Sequence, residues 1–523
     1  MCFRFPSILS CSLPRLEDIR EETDGPSFLT LKFPFSLSSF SPSLLMPVLV
    51  LQDLHDRFSS AFRPWERSLQ FWFRASHIYT SYKFCQLRSR FVKDREKEEI
   101  LWERQHEFAA EKIYAMCSEL GGFFLKVAQI VGKPDLAPAA WVKRLVTLYD
   151  KAPSTPFDVV QLVLEQELGS SLDKIFERFD KDPIGSASIA QVHKARIRGA
   201  KDDVAVKVQH PGVQHLMMTD IRNLRAFALY LQNTDINFDI VSITTEIEKQ
   251  VGYEFDFQRE AENMDKISCF LRNNSKKPPV RVPRVIPHMV TRKVLIMEFI
   301  DGIPILCLGD EIAKRGIDSS GKMATAAKKN ILQKLSLAYG QMILKSGFFH
   351  ADPHPGNILI YKNSEVALLD YGQVKHLSDN LRLGYAKLIK AIVHSDTSMI
   401  MQSFEELGMK TMKVSADSEN ELLKLAQTLF DTKLPPGVQV MTPFADDSSL
   451  KKISVQSFPE ELFFVLRTVQ LLRGLSVGMG INYSCLEQWK PIAEEALGEA
   501  GWALSLSLSP PHLHANMHGL VFD

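Results

Sequence analysis

Two aspartates and an asparagine have the types and spacing of a magnesium–phosphate site. Asp352 and Asn357 lie in the segment HADPHPGN (350–357), which its two prolines keep from being helical. Asp370 follows the apolar run VALL (366–369), and an ionised aspartate at the end of a buried strand needs compensation, which a metal supplies. Carboxylate and amide oxygens suit Mg²⁺ shared with substrate phosphates. Order and spacing therefore predict a kinase-like catalytic loop followed by a metal-binding motif.

A lysine and an acidic segment upstream would complete this chemistry. Lys207 ends the strand-like run VAVK, from which it could reach the α- and β-phosphates of a nucleotide, although an ordinary strand-edge lysine is the alternative. Such a lysine needs an acidic partner on a following helix, and Glu260 is our assignment. Glu254 lies six residues earlier and cannot share its helical face. We predict that Glu254 and Asp256 form a second acidic pair near the metal.

Several expected motifs are absent from the sequence. In place of GxGxxG before Lys207 stands PIGSASIAQVH (183–193), where Cβ atoms at Ala187 and Ser188 restrict the approach of backbone N–H groups to phosphates. No APE-like segment follows Asp370, which argues against a conventional protein kinase. The absence of GxSxG argues against a nucleophilic hydrolase. We therefore expect the two histidines of the 350–357 segment, His350 and His354, to brace the loop.

With these departures from a conventional kinase, the chain resembles the atypical ADCK/UbiB kinase-like family, the aarF-domain kinases. The resemblance covers about residues 105 to 480. It is carried by KVAQ (126–129) with KPD (133–135), GSAS (185–188), QVH (191–193), VAVK (204–207), EFD (254–256), Glu260, HADPHPGN (350–357) and DYG (370–372).

The resemblance implies an α+β, two-lobed protein-kinase-like fold with a helical N-terminal extension packed over the active site. It implies that Lys207 pairs with Glu260 and holds phosphates, that Asp352 is the catalytic aspartate, and that Asn357 and Asp370 bind Mg²⁺. The nucleotide, ATP or ADP, would contact Lys207, Gly185, Ser186, Ala187, Ser188, Lys126, Gln129, Met297 and Phe299. The alanine that replaces the family's KxGQ glycine, Ala128, would narrow the approach to the nucleotide.

Function also follows from the resemblance as an expectation. The family is associated with ATP hydrolysis, self-phosphorylation and support of isoprenoid-quinone or other lipid metabolism on organelle or bacterial membranes. Partners would be a nucleotide and lipid- or quinone-pathway enzymes, with no nucleic acid. We expect a mitochondrial protein, with the plastid as alternative. A nucleotide-binding scaffold with weak catalysis at a membrane surface stays open beside the active enzyme.

The elements that must position these residues change character along the chain. Strand-like runs at 190–197, 204–208 and 293–300 precede a mostly helical region from about 326, which predicts a mixed small lobe and a helical large lobe. The predicted domains are a poorly structured or targeting segment (1–56), the helical extension (57–150), the small lobe (151–302), the large lobe (303–500) and a flexible tail (501–523).

Composition adds limits to function. Lys plus Arg and Asp plus Glu each number 62, so the net charge is zero, which argues against a whole-surface nucleic-acid binder. The segment 57–95 is nevertheless basic, with nine Lys or Arg, two acids and interleaved aromatic residues. It could lie on an anionic membrane or dock on the domain behind it. No apolar run reaches the roughly 20 residues of a membrane span, and seven cysteines without CxxC indicate reduced thiols.

Overall fold

Two lobes and a helical extension make up the structure, a computed structural model. It describes residues 42–508 apart from 132–137, 149–153, 235–239, 315, 317, 319–320, 363, 412–418, 436–454 and 458. The helices are α1 (Pro42–Ser89), α2 (Arg95–Leu120), α3 (Phe123–Val131), α4 (Ala139–Leu145), α5 (Phe157–Leu168), α6 (Leu172–Ile175), α7 (Val213–Thr234), α8 (Ile240–Glu254), α9 (Phe257–Asn274), α10 (Leu308–Lys314), α11 (Lys322–Gly340), α12 (Asp379–Val393), α13 (Thr397–Glu406), α14 (Glu419–Phe430), α15 (Glu460–Gly478) and α16 (Cys485–Leu508).

The strands are short and mostly antiparallel. They are β1 (Phe176–Phe179), β2 (Gly185–Ser186), β3 (Ala190–Ile197), β4 (Asp203–Gln209), β5 (Val285–Val290), β6 (Val294–Glu298), β7 (Ile303–Pro304), β8 (Phe348–His350), β9 (Ile358–Tyr361), β10 (Glu365–Leu368), β11 (Val374–His376), β12 (Lys410–Thr411) and β13 (Val455–Ser457).

The first lobe is built on a sheet of strand order β1-β3-β4-β6-β5, with β2 also paired to β3. Side chains alternate between its two faces. On β4, Val206 and Val208 pack in the cluster that contains Val160 of α5. Ala205 belongs instead to the core that continues into the second lobe. Lys207, which is in step with Ala205, therefore lies on the face that looks toward the second lobe.

The second lobe is mainly helical, and one aromatic side chain organises its centre. Trp489 of α16 is fully buried, and its indole N–H donates to Ser336 O at 2.7 Å. A Cβ at Gly340 would come within 2.6 Å of the Trp489 ring. Glycine at the end of α11 is therefore what lets the ring approach that helix.

The extension has its own small core, which corrects one expectation. Phe71 of α1 stacks on Phe124 of α3 with ring centroids 5.5 Å apart. Ala128 is fully buried in the same cluster. The expectation that its Cβ narrows the nucleotide approach is therefore wrong, because Ala128 faces the core of the extension. Lys126, two residues earlier on α3, instead reaches Glu254 at the end of α8.

Arg67 of α1 fastens the extension to the first lobe. Its guanidinium donates to both carboxylate oxygens of Asp220 on α7, each at 2.7 Å. It also donates to the carbonyl oxygens of Leu120 and Gly121 at the end of α2. Gly121 has a φ of 60°, a conformation that suits glycine and ends the helix. One side chain thus joins α1, the α2–α3 turn and α7.

Helices α8 and α9 are separated at Phe255 and Asp256, because Asp256 caps α9 by accepting a hydrogen bond from Arg259 N. Two predicted segments differ from the structure. The tail predicted to be flexible from residue 501 continues α16 to Leu508, since Trp, Ala and Leu there are compatible with a helix. Helix α1 begins at Pro42, within the segment predicted to be poorly structured.

The remaining domain boundaries stay predictions. Residues 1–41 and 509–523 lie outside the described residues. They make up most of the two terminal segments predicted at 1–56 and 501–523. In the described part of the chain, no helix is long and apolar enough to span a bilayer.

Candidate active site between the lobes

A buried ion pair lies at the centre of the cleft. Lys207 Nζ donates to both carboxylate oxygens of Glu260, each at 2.7 Å. Lys207 is 5% exposed and Glu260 is 3% exposed. Strand β4 supplies the lysine, and the first turn of α9 supplies the glutamate, so the sheet and helix are locked together here. The structure therefore brings together the two residues that the sequence paired.

A second carboxylate approaches the same ammonium group. Asp370 Oδ1 lies 3.6 Å from Lys207 Nζ. Burial opposes the charge on Lys207, but the carboxylates of Asp370 and Glu260 outweigh it and raise the pKa of Lys207. Burial raises the pKa of Glu260, and the Lys207 ammonium opposes that rise. The Lys207 ammonium group thus stays charged between the carboxyl groups of Glu260 and Asp370.

Asp370 has an unfavourable backbone conformation that hydrogen bonds from neighbouring elements maintain. Its φ is 57°, in the left-handed region that non-glycine residues rarely adopt. Its backbone carbonyl accepts a hydrogen bond from His350 Nε2 at 2.9 Å, and the next carbonyl, of Tyr371, accepts one from Asn263 of α9 at 3.1 Å. Burial alone would raise the pKa of Asp370, but Lys207 and the Gly372 N–H outweigh it and hold the pKa well below its usual range.

His350 links the catalytic loop to the segment that carries Asp370. Its Nδ1 accepts hydrogen bonds from the Tyr339 hydroxyl at 3.0 Å and from Asp352 N at 3.3 Å. Its Nε2–H donates to Leu369 O at 3.1 Å and to Asp370 O. Both ring nitrogens are therefore used by the scaffold. His354 Nδ1 likewise accepts from a backbone N–H of its own loop.

We expect the free energy of unfolding to fall as the pH drops below about 6.5, the ordinary pKa of histidine. Burial lowers the pKa of His350, despite the opposing charges of Asp352 and Asp370, so the unfolded chain takes up a proton first. The stabilisation that His350 contributes is complete above its pKa in the unfolded chain. It is lost as the pH falls toward its pKa in the folded protein. One histidine contributes at most about 1.4 kcal/mol per pH unit. Urea titrations between about pH 5 and pH 7 measure the slope.

Two variants separate this effect from the rest of the chain. His350→Gln removes the group and should reduce the slope of stability against pH. His193 and His210, whose pKa values burial also lowers, leave a residual slope of the same sign. His215→Gln, which changes an exposed histidine, is the matched control. An identical slope in wild type and His350→Gln would contradict the assignment.

A magnesium ion fits the donor set of Asn357 and Asp370. Asn357 Nδ2 donates to Asp352 O at 3.3 Å, so ligation would fall to its amide oxygen. Asp370 offers an ionised carboxylate, and both are oxygen donors of the kind that Mg²⁺ prefers. No three His, Cys, Asp or Glu side chains are grouped for a metal in the part of the chain that the structure describes. An ion here would be held by Asn357 and Asp370 together with nucleotide phosphates.

The two acids predicted to lie near the metal have other contacts. Glu254 forms an ion pair with Lys126 and accepts a hydrogen bond from Gln373 at 3.1 Å. It is also near enough to Lys207 to contribute to the raised pKa of that residue. Asp256 caps α9. Their role as metal ligands therefore stays a prediction.

Lys126 extends from the extension toward the cleft, and its contact with a nucleotide stays a prediction. Its contact with Glu254 joins α3 to the end of α8, beside the ion pair of Lys207. Gln129 lies in the same helix, three residues further on, but its side chain is outside the described residues. The extension thus covers the cleft through at least one charged contact.

The loop that replaces a glycine-rich loop is short and fixed. Gly185 and Ser186 form β2, which pairs with β3, and Ala187 N donates to Ala190 O at 2.8 Å. Ala187 O accepts a hydrogen bond from His210 Nε2 at 2.9 Å. Ser188 follows in the turn before β3. The loop therefore cannot close on phosphates as freely as a run of glycines would.

Met297 lies on the same face of the sheet as Lys207. It pairs with Ala205, and its neighbour Leu295 pairs with Lys207. Phe299 follows the strand, and the Lys194 ammonium lies 4.3 Å from its ring centroid. Met297 lies in β6 and Phe299 just after it, where the chain leads from the sheet to the second lobe. Their contact with a nucleotide stays a prediction.

Several site residues escaped the sequence interpretation. Arg467 of α15 donates to Asp352 Oδ1 at 2.7 Å, so an arginine occupies one oxygen of the predicted catalytic carboxylate. Asn263 lies one helical turn after Glu260 and holds Tyr371 O. No local motif marks Arg467, but the spacing of Glu260 and Asn263 on one helical face was available from the sequence.

Parts of the chain are similar to known proteins. Residues 147–404 match the family described as "ABC1 atypical kinase-like domain". A Xenopus tropicalis protein named "AarF domain-containing protein kinase 1" is 30% identical over 405 residues, which cover 74% of each chain. An Arabidopsis thaliana protein named "Protein ACTIVITY OF BC1 COMPLEX KINASE 8, chloroplastic" is 29% identical over 417 residues, covering 72% of this chain and 53% of its own.

A solved structure supports the fold. A Mycobacterium tuberculosis protein, determined in complex with erythromycin, is 21% identical and has a TM-score of 0.50. The match covers 77% of this chain and 98% of the other. Together with the family match, it confirms the predicted α+β, two-lobed kinase-like fold.

Proposed function

This chain belongs to the ABC1 atypical kinase-like family, and on that premise we propose that it is a Mg·ATP-dependent ATPase or kinase. The observation that carries the proposal is the cation between two acids. Lys207 is bonded to Glu260 and lies 3.6 Å from Asp370. A buried lysine held in this way is ready to bind nucleotide phosphates, since it is charged and has little freedom left to lose.

Each residue of the candidate site has a defined role in this proposal. Lys207 binds phosphate oxygens, and Glu260 fixes its position. Asp352 would accept the proton of the attacking hydroxyl or water at a carboxylate oxygen. Arg467 orients that carboxylate. Asn357 and Asp370 would hold Mg²⁺, which supplies charge neutralisation to the phosphates when bound.

The extension limits the acceptor. Lys126 crosses from α3 to Glu254 and so covers part of the cleft. We propose that transfer to protein substrates is disfavoured and that hydrolysis or self-phosphorylation predominates. The further proposal is support of isoprenoid-quinone or other lipid metabolism, together with enzymes of that pathway. A mitochondrial location is our first proposal, and the relative with "chloroplastic" in its name supports the plastid as the alternative.

A scaffold with weak catalysis is the second candidate. It is favoured by the bond from Arg467 to Asp352, because the arginine occupies one of the two carboxylate oxygens that a catalytic aspartate would offer to the attacking group. In this reading the chain binds nucleotide to keep a shape that partner proteins or lipid recognise.

Nucleotide binding and turnover distinguish these functions. A ligand that binds only the folded state raises stability by about 2.7 kcal/mol at a hundredfold excess over its dissociation constant. We expect that stabilisation with Mg·ATP, and a smaller one when EDTA removes the metal. Turnover, measured with and without anionic liposomes, then assigns the activity. Stabilisation without turnover favours the scaffold, and the absence of any stabilisation overturns both readings.

A further inference from the structure

The long helix α1 carries a row of large apolar side chains that no other part of the described chain covers. Trp65 is 73% exposed, Leu69 67%, Phe73 77% and Phe84 63%. Leu87 continues the row, and Phe91, in the turn after α1, is also exposed. The spacings of the five residues within the helix follow the helical repeat, so these five share one side, which we call the outer face of α1. From Trp65 to Phe84 it runs about 28 Å.

The opposite side of the helix already has its partners. Phe71 and Cys85 are buried, and Phe71 stacks on Phe124. Tyr82 contacts the rings of Trp102 and His106 on α2. One set of aromatic residues in this segment therefore docks on the protein, as one of the two alternatives predicted, and a second set does not. The outer face is not needed to attach α1.

Basic residues flank one end of the outer face. Between Trp65 and Lys93 the chain has six Lys or Arg and a single acid, Glu66. Arg67 and Arg74 of these six are engaged with Asp220 and Glu119. The other four are Lys83, Arg88, Arg90 and Lys93, close in sequence to Phe84, Leu87 and Phe91.

Three acidic residues of the neighbouring helix lie elsewhere. Glu99, Glu103 and Glu107 of α2 line a hollow against α4. That hollow also includes Trp102 and His106, the residues on which the docked side of α1 packs. These three acids therefore do not neutralise the outer face, whereas Asp94, Glu96 and Glu98 follow Lys93 closely in the chain.

We propose that the outer face of α1 binds the surface of an anionic lipid bilayer. Aromatic and leucine side chains would enter the boundary between headgroups and acyl chains, while Arg88, Arg90 and Lys93 contact lipid phosphates. A second copy of the chain is a poorer occupant, because it would present the same basic face without opposite charge. The inference concerns a surface on the extension and does not depend on turnover in the cleft.

Vesicle flotation with the full chain tests the surface. Vesicles of phosphatidylcholine are compared with vesicles that also contain phosphatidylglycerol. We expect binding to the anionic vesicles that weakens with added salt. The variant Leu69→Ser/Phe73→Ser/Phe84→Ser should bind at least about tenfold more weakly, since it removes three apolar groups that enter the lipid. These side chains are exposed, so the variant should keep the circular dichroism and melting temperature of the wild type.

Matched variants sharpen the result. Arg88→Gln/Arg90→Gln/Lys93→Gln should lose the preference for phosphatidylglycerol, whereas Leu162→Ser/Met323→Ser, which changes exposed apolar residues elsewhere, should bind normally. Equal vesicle binding by the wild type and the three-serine variant would overturn the proposal. So would a wild-type dimer that this variant dissociates, since the face would then serve a second copy.

Discussion

Replacing Asp370 with asparagine is expected to lower Mg·ATP turnover at least about a hundredfold while the protein stays folded. The substitution removes the ionised carboxylate next to Lys207 and weakens the proposed magnesium site. Asparagine tolerates the left-handed conformation of residue 370 better than most residues do, and its amide oxygen can still accept from Gly372 N. The pair of Lys207 and Glu260 remains in place. The loss should therefore appear in kcat and not in the melting temperature.

Asp265→Asn is the matched control for this prediction. It makes the same chemical change on the exposed side of α9, away from the cleft, and should leave turnover unchanged. Single-turnover measurements with radiolabelled ATP and Mg²⁺ separate chemistry from nucleotide release. Equal rates for wild type and Asp370→Asn would remove the active-enzyme proposal and leave the scaffold.

The sequence predicted those parts of the site that lie within one short segment. Asp352 and Asn357 are fixed by two prolines, and Asp370 ends a buried run, so local rules suffice to place each of them. The pair of Lys207 and Glu260 is separated by 53 residues. It was predicted because a buried lysine needs an acidic partner and the family resemblance narrowed the choice.

Contacts between distant helices could not be predicted in this way. Arg467 and Asp352 are 115 residues apart, and Arg67 and Asp220 are 153 apart. The sequence around neither arginine identifies its partner, which is decided by how helices pack in three dimensions. The wrong expectation for Ala128 has the same origin. The packing of Phe71 of α1 determines which side of α3 faces the cleft. The KVAQ motif alone does not predict that contact.

Replacing Arg67 with methionine should destabilise the protein by about 3–5 kcal/mol, the usual cost of leaving one partner of a buried ion pair alone. Asp220 is fully buried, and burial raises its pKa while Arg67 opposes that rise. Without the guanidinium, the carboxylate must stay charged in an apolar place or take up a proton. The carbonyls of Leu120 and Gly121 also lose a donor. Urea unfolding followed by circular dichroism and tryptophan fluorescence measures the loss.

Two further variants identify the cause of that loss. Arg67→Met combined with Asp220→Leu removes both charges, and replacing a buried ion pair by apolar groups is often close to neutral. The double variant should therefore regain more than half of the lost stability. Arg74 lies in the same helix, seven residues after Arg67. The variant Arg74→Met breaks its exposed ion pair with Glu119 and should lower the free energy of unfolding by about 1 kcal/mol or less. A double variant as unstable as Arg67→Met alone would show that Arg67 stabilises the protein through its other contacts, with the carbonyl oxygens of the α2–α3 turn and the Phe124 ring, and not through Asp220.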